Sequence, residues 1–272
     1  MSVDNEKVSV IMAVYNCEDT VADAIESILN QTYKDIELII CDDCSADGTY
    51  KVVEGYKAKY PDRIVLIQNE ENKKLPYSLN HCLKYATGKY VARMDGDDYS
   101  YPERIEKQVN YLRSHPDIDL VGTGMAVFDG EKIIGQNTSP EHVDQYSLLH
   151  KTCFCHATIL TYKYVYDKLG GYSLESRAVR VEDIDLWFRF FSAGYKGANL
   201  PDLLYRVTDD AKAASRRKFS NRINAMKTLF FGYRLLHYPV YCYPMAVTPV
   251  LKGLAPKFVY NFYRGRKFKK HD

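Results

Sequence analysis

Three carboxylates are gathered in the segment Arg93-Met94-Asp95-Gly96-Asp97-Asp98, directly after the apolar run 90–92. Clustered carboxylates repel one another unless a cation joins them. Hard divalent ions such as Mg²⁺ or Mn²⁺ take oxygen ligands and commonly bridge to substrate phosphates. The cluster therefore predicts a metal-diphosphate site. Taken alone, the same segment is also compatible with a solvated turn that uses Asp and Gly for their turn chemistry.

The elements that must position this cluster alternate along the chain. Apolar runs predict strands at 8–14, 36–41, 64–68 and 89–94, and helical periodicity predicts helices at 18–31, 47–60, 76–86 and 102–114. A further strand is predicted at 119–128, with a turn at 129–130 and a return at 131–134. The alternation predicts an α/β fold with a mostly parallel sheet, helices on both faces and ligands beyond the carboxyl ends of the strands.

Polar residues follow three of these predicted strands. Tyr15-Asn16 ends the first strand, Asp42-Asp43-Cys44-Ser45 the second, and the acidic cluster the fourth, so these groups are expected at one edge of the sheet. The first strand is followed neither by Gly-x-Gly-x-x-Gly nor by Gly-Lys-Ser/Thr. These absences disfavour a dinucleotide oxidoreductase and a P-loop enzyme.

Four ordered segments, 8–16, 27–33, 37–49 and 95–98, together resemble family 2 inverting glycosyltransferases, and the match spans roughly residues 7–207. The resemblance implies the GT-A fold, a nucleotide-sugar-binding α/β sheet. It also implies a metal-dependent enzyme that moves a sugar from a nucleotide-sugar, with a UDP-sugar as the expected donor, to a glycan or lipid-linked saccharide in cell-surface polysaccharide synthesis. A non-catalytic nucleotide-sugar or glycan-binding module on the same fold is the alternative.

The resemblance also assigns donor-binding roles. Ala13 and Tyr15 would border the base, and Asp42 or Asp43 would accept a hydrogen bond from a uracil-type N–H, which suits an acceptor-only carboxylate. Asp95 would lie near the ribose and the metal, Asp97 would ligate Mn²⁺ or Mg²⁺, and Asp98 would lie close by. Family members often carry Asn-x-Gly after the third strand, where this chain has Asn72-Lys73-Lys74-Leu75.

The segment 181–189 resembles the family's Glu-Asp motif at the start of an acceptor-side helix, and by that match Asp183 is the catalytic base. Glu182 would orient the base or contact the donor sugar. Acidic residues are favoured in a first helical turn by the helix dipole alone, which is the structural alternative. Trp187 is either a sugar-stacking wall or a core residue. Gly170-Gly171-Tyr172 resembles a glycine pair that lets a loop approach the sugar closely.

Other candidate ligands stay open at this stage. His156 could touch donor or acceptor, or be a structural group. The positive charge that relatives place over the diphosphate could come from Arg206 or from the segment Arg216-Arg217-Lys218. Seven irregularly spaced cysteines fit reduced thiols, although Cys41-x-x-Cys44 and the segment 153–156 also make a zinc site or a redox pair conceivable.

The charge of the chain is segregated. Residues 211–272 hold 14 of the 37 basic residues but one of the 35 acidic ones, and aromatic side chains are interleaved with the cations. We therefore predict a glycosyltransferase domain at 1–210, with a nucleotide-sugar half at about 1–115 and an acceptor half at 116–210, followed by a basic amphipathic helical tail at 211–272.

The tail suits an anionic membrane surface. Prolines at 239, 244 and 249 argue against a spanning helix in the segment 235–251. A nucleic-acid-binding tail and a helix packed on the acidic body are the alternatives, and no nucleic-acid partner is expected because the body would repel it. With no signal-peptide pattern, the protein is expected in the cytoplasm, at the inner face of the cell membrane.

Overall fold

The computed structural model describes residues 6–149, 153–208 and 219–254. Within these ranges, ten strands form one mixed sheet in the order β3-β2-β1-β4-β9-β6-β10-β5, with β7 paired to β6 and β8 to β10. The strands are β1 Val8–Val14, β2 Ile36–Asp42, β3 Ile64–Gln68, β4 Tyr90–Asp95, β5 Tyr99–Ser100, β6 Leu120–Phe128, β7 Ile133–Asn137, β8 His142–Val143, β9 Leu160–Tyr162 and β10 Gly197–Thr208.

Eight α-helices surround this sheet in the described ranges. They are α1 Val21–Leu29, α2 Thr49–Lys59, α3 Leu75–Leu83, α4 Arg104–Ser114, α5 Lys163–Leu169, α6 Glu182–Ser192, α7 Phe219–Leu235 and α8 Thr248–Leu254. Short 3-10 helices lie at Gln145–Leu149, His156–Thr158, Ser176–Ala178 and Val240–Val247. The predicted strand–helix alternation over the first half of the chain is confirmed, with helix ends shifted by up to three residues.

Each face of the sheet carries its own hydrophobic core. Along β1, Val8, Val10, Met12 and Val14 belong to the core that packs on α1, α2 and α4, whereas Ile11 belongs to the core that packs on α3, α5 and α6. A strand covered on both faces must be apolar at successive positions, which explains the unbroken apolar run that marks β1 in the sequence.

The second half of the sheet differs from the sequence prediction. Strands β1 to β4 are mutually parallel, but β9 runs antiparallel between β4 and β6. Strand β10 was not predicted. It pairs with β6 with register shifts around Leu200 to Tyr205, where Pro201 cannot donate a ladder hydrogen bond and Asp202 interrupts the apolar pattern. The return strand β7 begins two residues later than predicted, at Ile133.

Helix α7 is packed on the body of the protein. Its Tyr233 is buried in the core that contains Phe188, and a side chain at Gly232 would place its Cβ 2.2 Å from the Phe188 ring. The helix ends in a turn where His237, at a φ of 53°, occupies the left-handed position usually taken by glycine. No helix among the described residues is long and apolar enough to cross a membrane.

Candidate active site

The parallel register of the first strands brings the predicted donor-binding residues to one edge of the sheet. Ala13 lies opposite Asp95 on β4, and Val14 lies opposite Asp42 on β2. Tyr15 follows directly and is 49% exposed. The structure therefore gathers the ends of β1, β2 and β4, as the sequence predicts.

The acidic turn 95–98 begins where β4 ends. The Arg93 guanidinium is buried beneath it and donates from Nη2 to Asp95 Oδ1 at 2.7 Å. Gly96 is required in the turn because a Cβ there would lie 2.7 Å from Val14 Cγ1. Asp97 is exposed, whereas Asp98 is buried. The turn thus presents one carboxylate outwards and keeps another beneath the surface.

Strand β10 holds this turn from the opposite side. The Tyr205 hydroxyl accepts from the Asp95 N–H at 3.1 Å and hydrogen-bonds the Asp98 carboxylate. Thr208 donates from its N–H to Asp98 Oδ1 at 3.1 Å and from its hydroxyl to the Asp97 carbonyl at 2.9 Å. Both side chains escaped the sequence prediction, because no motif marks them and β10 itself was missed.

Electrostatic repulsion is concentrated in the turn. Burial, followed by the negative charges of Asp95 and Asp97, raises the pKa of Asp98 to about 8. The raised pKa of Asp98 means that the state in which all three carboxyl groups are charged is disfavoured at neutral pH when no cation is present. A bound cation would relieve this repulsion.

The donor set of the turn fits a hard divalent ion. In the described part of the chain, no group of three or more His, Cys, Asp or Glu side chains is placed to hold a metal. An all-protein cage is therefore absent there, but Mg²⁺ and Mn²⁺ sites in phosphate-handling enzymes use one or two carboxylates together with substrate oxygens. Asp97, exposed, and Asp95, beside it, supply such a pair.

We predict that the hydrogen bonds from Tyr205 on β10 to the acidic turn increase the affinity of the predicted donor site for UDP. Tyr205→Phe removes a buried hydroxyl that bonds two parts of the acidic turn, so metal-dependent UDP binding should weaken about tenfold, the effect of losing one to two buried hydrogen bonds. Calorimetric titration with UDP and Mn²⁺ measures it. Tyr164→Phe is the matched control, because it removes a hydroxyl bonded to Asp119 on another part of the fold. Equal UDP affinity in both variants would contradict the prediction.

The two carboxylates at the end of β2, Asp42 and Asp43, organise the loops around the predicted base site. Asp42 is fully buried; its Oδ2 accepts from the Ser45 N–H at 3.1 Å and from Gln68 Nε2 at 3.0 Å. Its Oδ1 has no hydrogen-bond partner among the described residues. This unpartnered oxygen is itself buried.

The Asp43 carboxylate accepts more hydrogen bonds than the Asp42 carboxylate, and both of its oxygens have partners. Its carboxylate accepts from Asn69 Nδ2 and from the backbone N–H groups of Lys73 and Lys74, each at 2.8 Å. Lys74 sits at a φ of 74° just before α3. Asp43 therefore fixes the loop 69–74, the segment in which this chain departs from the family's Asn-x-Gly pattern. The sequence offered no signal for this structural role.

The second acidic pair opens helix α6. Glu182 Oε2 is buried without a hydrogen-bond partner in the described residues, and Asp183 Oδ1 accepts from the Ile184 N–H at 2.8 Å. Burial raises the pKa of both carboxyl groups, and the positive charge of Arg93 acts in the opposite direction on both. Arg93 thus connects the acidic turn electrostatically to the start of α6.

Helix α6 is fixed by ion pairs one turn further on. Asp185 is fully buried and pairs with Arg177 and with Arg189, whose Nε lies 2.7 Å from Asp185 Oδ2. Arg189 also donates from Nη1 to the carbonyls of Leu169 and Gly171 at 2.7 and 2.9 Å. The start of α6 is consequently held at a defined position relative to the preceding loop.

His156 and the glycine pair belong to one polar cluster beside α6. His156 Nε2 lies 3.0 Å from the Tyr172 hydroxyl, and burial together with the Arg93 charge holds the pKa of His156 well below its ordinary value. Gly171, at a φ of 73°, leaves no room for a Cβ, which would lie 2.3 Å from Asn80 Oδ1. The glycine is thus required by packing against α3.

Three further candidates are located as follows. Trp187 is fully buried against Phe154, so the sugar-stacking alternative is wrong and the core alternative holds. The Arg206 guanidinium lies between the rings of Tyr99 and Phe128, at 4.8 and 4.5 Å from their centroids. Arg216 and Arg217 lie outside the described residues. All seven cysteines are free, including Cys41 and Cys44.

The mixed α/β sheet flanked by helices, with its parallel strands ending at one edge, has the fold of a class of protein, the GT-A transferases. The chain belongs to glycosyl transferase family 2, whose family model matches residues 9–170. It is 46% identical over 261 residues to the putative glycosyltransferase EpsE of Bacillus subtilis strain 168, covering 96% of this chain and 94% of that protein.

A second relative and a solved structure extend the comparison. The chain is 33% identical over 257 residues to the Escherichia coli UDP-Glc:alpha-D-GlcNAc-diphosphoundecaprenol beta-1,3-glucosyltransferase WfaP, covering 91% of this chain and 95% of that protein. The crystal structure of S. aureus TarS 1-349 in complex with UDP-GlcNAc superposes with a TM-score of 0.68 at 20% identity, covering 82% of this chain and 66% of that one. The predicted family and GT-A fold are confirmed.

Proposed function

We propose that this glycosyltransferase is a metal-dependent, inverting enzyme that moves one sugar from a UDP-sugar to a glycan or lipid-linked saccharide during cell-surface polysaccharide synthesis. The observation that carries the proposal is the acidic turn 95–98 beside the carboxylate pair Glu182 and Asp183, with buried Arg93 acting on both. A donor described as UDP-Glc stands in the name of WfaP, and the TarS structure contains UDP-GlcNAc.

On the donor side, Ala13 and Tyr15 border the base at the end of β1, and Asp42 accepts from the base N–H through its unpartnered oxygen. Asp43 shapes the adjoining loop. Asp97 and Asp95 hold the Mn²⁺ or Mg²⁺, and Asp98 supports the turn that presents them. When bound, the ion stabilises the negative charge that develops on the departing nucleoside diphosphate.

On the acceptor side, Asp183 is the general base. It takes the proton of the acceptor hydroxyl while that oxygen attacks the anomeric carbon and the bond between this carbon and the donor phosphate oxygen breaks. Attack opposite to the leaving group inverts the configuration. Glu182, next to the base in sequence and half-buried with an unpartnered Oε2, orients the base or contacts the donor sugar.

The tail 211–272 follows the transferase domain and docks it on the inner face of the cell membrane. This proposal is supported by four exposed apolar side chains in the described part of the tail. They are Val240, Tyr241, Leu251 and Leu254, which are from 60% to 84% exposed. No acidic residue lies between Asp210 and Asp272 to repel an anionic bilayer. Exposed apolar tips beside cations are typical of interfacial elements.

The test of the proposed function is nucleotide release from a panel of UDP-, GDP-, dTDP- and CMP-sugars with Mn²⁺ and with EDTA. Release of UDP alone, abolished by EDTA, is the expected result, because slow hydrolysis reports transfer competence without an acceptor. If no nucleotide is released from any of these donors and calorimetry detects no nucleotide binding, the proposal is overturned. UDP-sugar binding without any turnover, even with acceptors supplied, would instead support the non-catalytic binding module.

A further inference from the structure

A groove of about 710 Å³ runs along the outer face of helix α7 and is not used by the chemistry described above. Its lining combines aromatic and aliphatic side chains with cations, namely Lys227, Phe230, Phe231, Arg234, Leu235 and His237. The apolar members are half-buried, whereas Lys227 and Arg234 are exposed. The groove is therefore an apolar trough edged by positive charge.

The positive charge of the groove has no counter-charge on its own element. Neither Lys227 nor Arg234 makes an ion pair with any described residue. In sequence, the nearest acidic residues on either side of α7 are Asp210 and Asp272. Cations edging an apolar trough are complementary to an anionic amphiphile, whose head pairs with the charges while its chain lies on the rings.

The two ends of the groove point to different parts of the molecule. Its His237 end lies three residues before Val240 and Tyr241, which are 84% and 81% exposed. Near the other end, one helical turn after Lys227, Phe231 lies against Arg177, with 3.5 Å between Arg177 Cζ and the ring centroid. Arg177 in turn pairs with Asp185, two residues after the proposed base. The helical part of the lining, from 227 to 235, rises about 12 Å along α7 at 1.5 Å per residue.

We propose that this groove binds the diphosphate and the first isoprenoid units of a lipid-linked acceptor. The diphosphate pairs with Lys227 and Arg234, the chain lies over Phe230 and Leu235 toward the exposed Tyr241, and the saccharide extends past Arg177 toward α6. The inference rests on the proposed use of a lipid-linked acceptor and adds the residues that recognise its lipid end.

The experiment measures binding of farnesyl diphosphate to the full chain by calorimetry, in EDTA so that the metal-dependent donor site does not take the diphosphate. Lys227→Gln and Arg234→Gln should each weaken binding about fivefold, the ratio equivalent to about 1 kcal/mol per cation. The double variant should lose about 25-fold, as two independent contacts predict. Farnesol, which lacks the diphosphate, and inorganic diphosphate, which lacks the isoprenoid chain, should each bind more weakly than farnesyl diphosphate.

Lys252→Gln is the matched control, since it removes the same charge from an exposed position on α8 outside the groove. Equal losses in all three single variants would overturn the proposal in favour of diffuse attraction by the tail, and so would absence of farnesyl diphosphate binding. Sedimentation with phosphatidylglycerol vesicles distinguishes recognition of the acceptor lipid from attraction to bilayer headgroups. If the groove is specific for the acceptor lipid, Arg234→Gln and Lys252→Gln should bind vesicles to a similar extent. Because the readout needs no turnover, failure of the sugar panel and failure of the groove are distinguishable.

Discussion

Asp183→Asn should lower the turnover number for sugar transfer by about 10²- to 10⁴-fold, the range that a positioned general base contributes. The substitution preserves the shape of the side chain and its acceptor for the Ile184 N–H, but an amide cannot take the proton of the acceptor hydroxyl. The affinity for UDP should stay within about twofold, because the donor site is built on other strands. Steady-state kinetics and calorimetry with UDP separate these two quantities.

Asp167→Asn is a suitable control, because Asp167 pairs with Lys163 on the surface of α5 and its loss should leave the turnover number unchanged. A turnover number within about tenfold of wild type for Asp183→Asn would remove this residue from the role of base. Glu182→Gln would then be the next variant to measure, since Glu182 is the neighbouring carboxyl group and burial raises its pKa too.

The pH dependence of transfer follows from the same carboxylate. Burial raises the pKa of Asp183 above its ordinary value of about 3.9, because removal from water disfavours the charged form. A base must be charged to act, so kcat/KM should fall as the pH drops through this raised pKa. The acid limb of the pH profile is therefore expected above pH 4, and a limb at or below that value would contradict the assignment.

The first four strands and the acidic turn were predictable because each is a local pattern. An apolar run buried on both faces, followed by polar residues, marks the end of a parallel strand, and the register of β1 with β2 and β4 then brings Ala13, Asp42 and Asp95 together. No long-range information was needed beyond the rule that parallel strands end at one edge.

The residues that hold the site in place were not predictable, because their contacts join parts of the chain that are far apart in sequence. Tyr205 and Thr208 act on the acidic turn across more than 100 residues of sequence, from a strand that contains a proline and register shifts. Asp43 looked like a ligand because it follows β2, yet its partners are backbone N–H groups of Lys73 and Lys74. A sequence shows which groups can bond, and only the fold decides which ones already do.

The tail illustrates how the fold changes the interpretation of a composition bias. Its cations favoured an element on a membrane surface, with a helix packed on the body as the alternative, and the structure buries Tyr233, Leu236 and Tyr238 in the core beside α6. Removal of residues from 229 onward would therefore expose this core as well as remove charge. Single charge substitutions on the outer face of α7 are the cleaner way to separate membrane attraction from folding.

Asp97→Asn should abolish the Mn²⁺-dependent part of UDP binding while leaving stability close to that of wild type. Asp97 is exposed at the outer side of the acidic turn, so the change costs little packing but removes an anionic ligand. We expect the affinity for UDP in Mn²⁺ to fall by about 100-fold or more, since loss of even an outer-shell partner costs 10- to 100-fold in metal affinity. Calorimetry with and without Mn²⁺ measures the effect.

Asp98→Asn is the matched comparison, because it makes the same substitution one residue away, at a carboxyl group whose pKa is raised to about 8. Asp98 is buried, and an asparagine oxygen there can still accept the Thr208 N–H, so the turn should keep its shape. The smaller loss of Mn²⁺-dependent binding is expected for this variant. Equal losses would contradict direct ligation by Asp97, because the exposed and the buried carboxyl group would then contribute alike to metal binding.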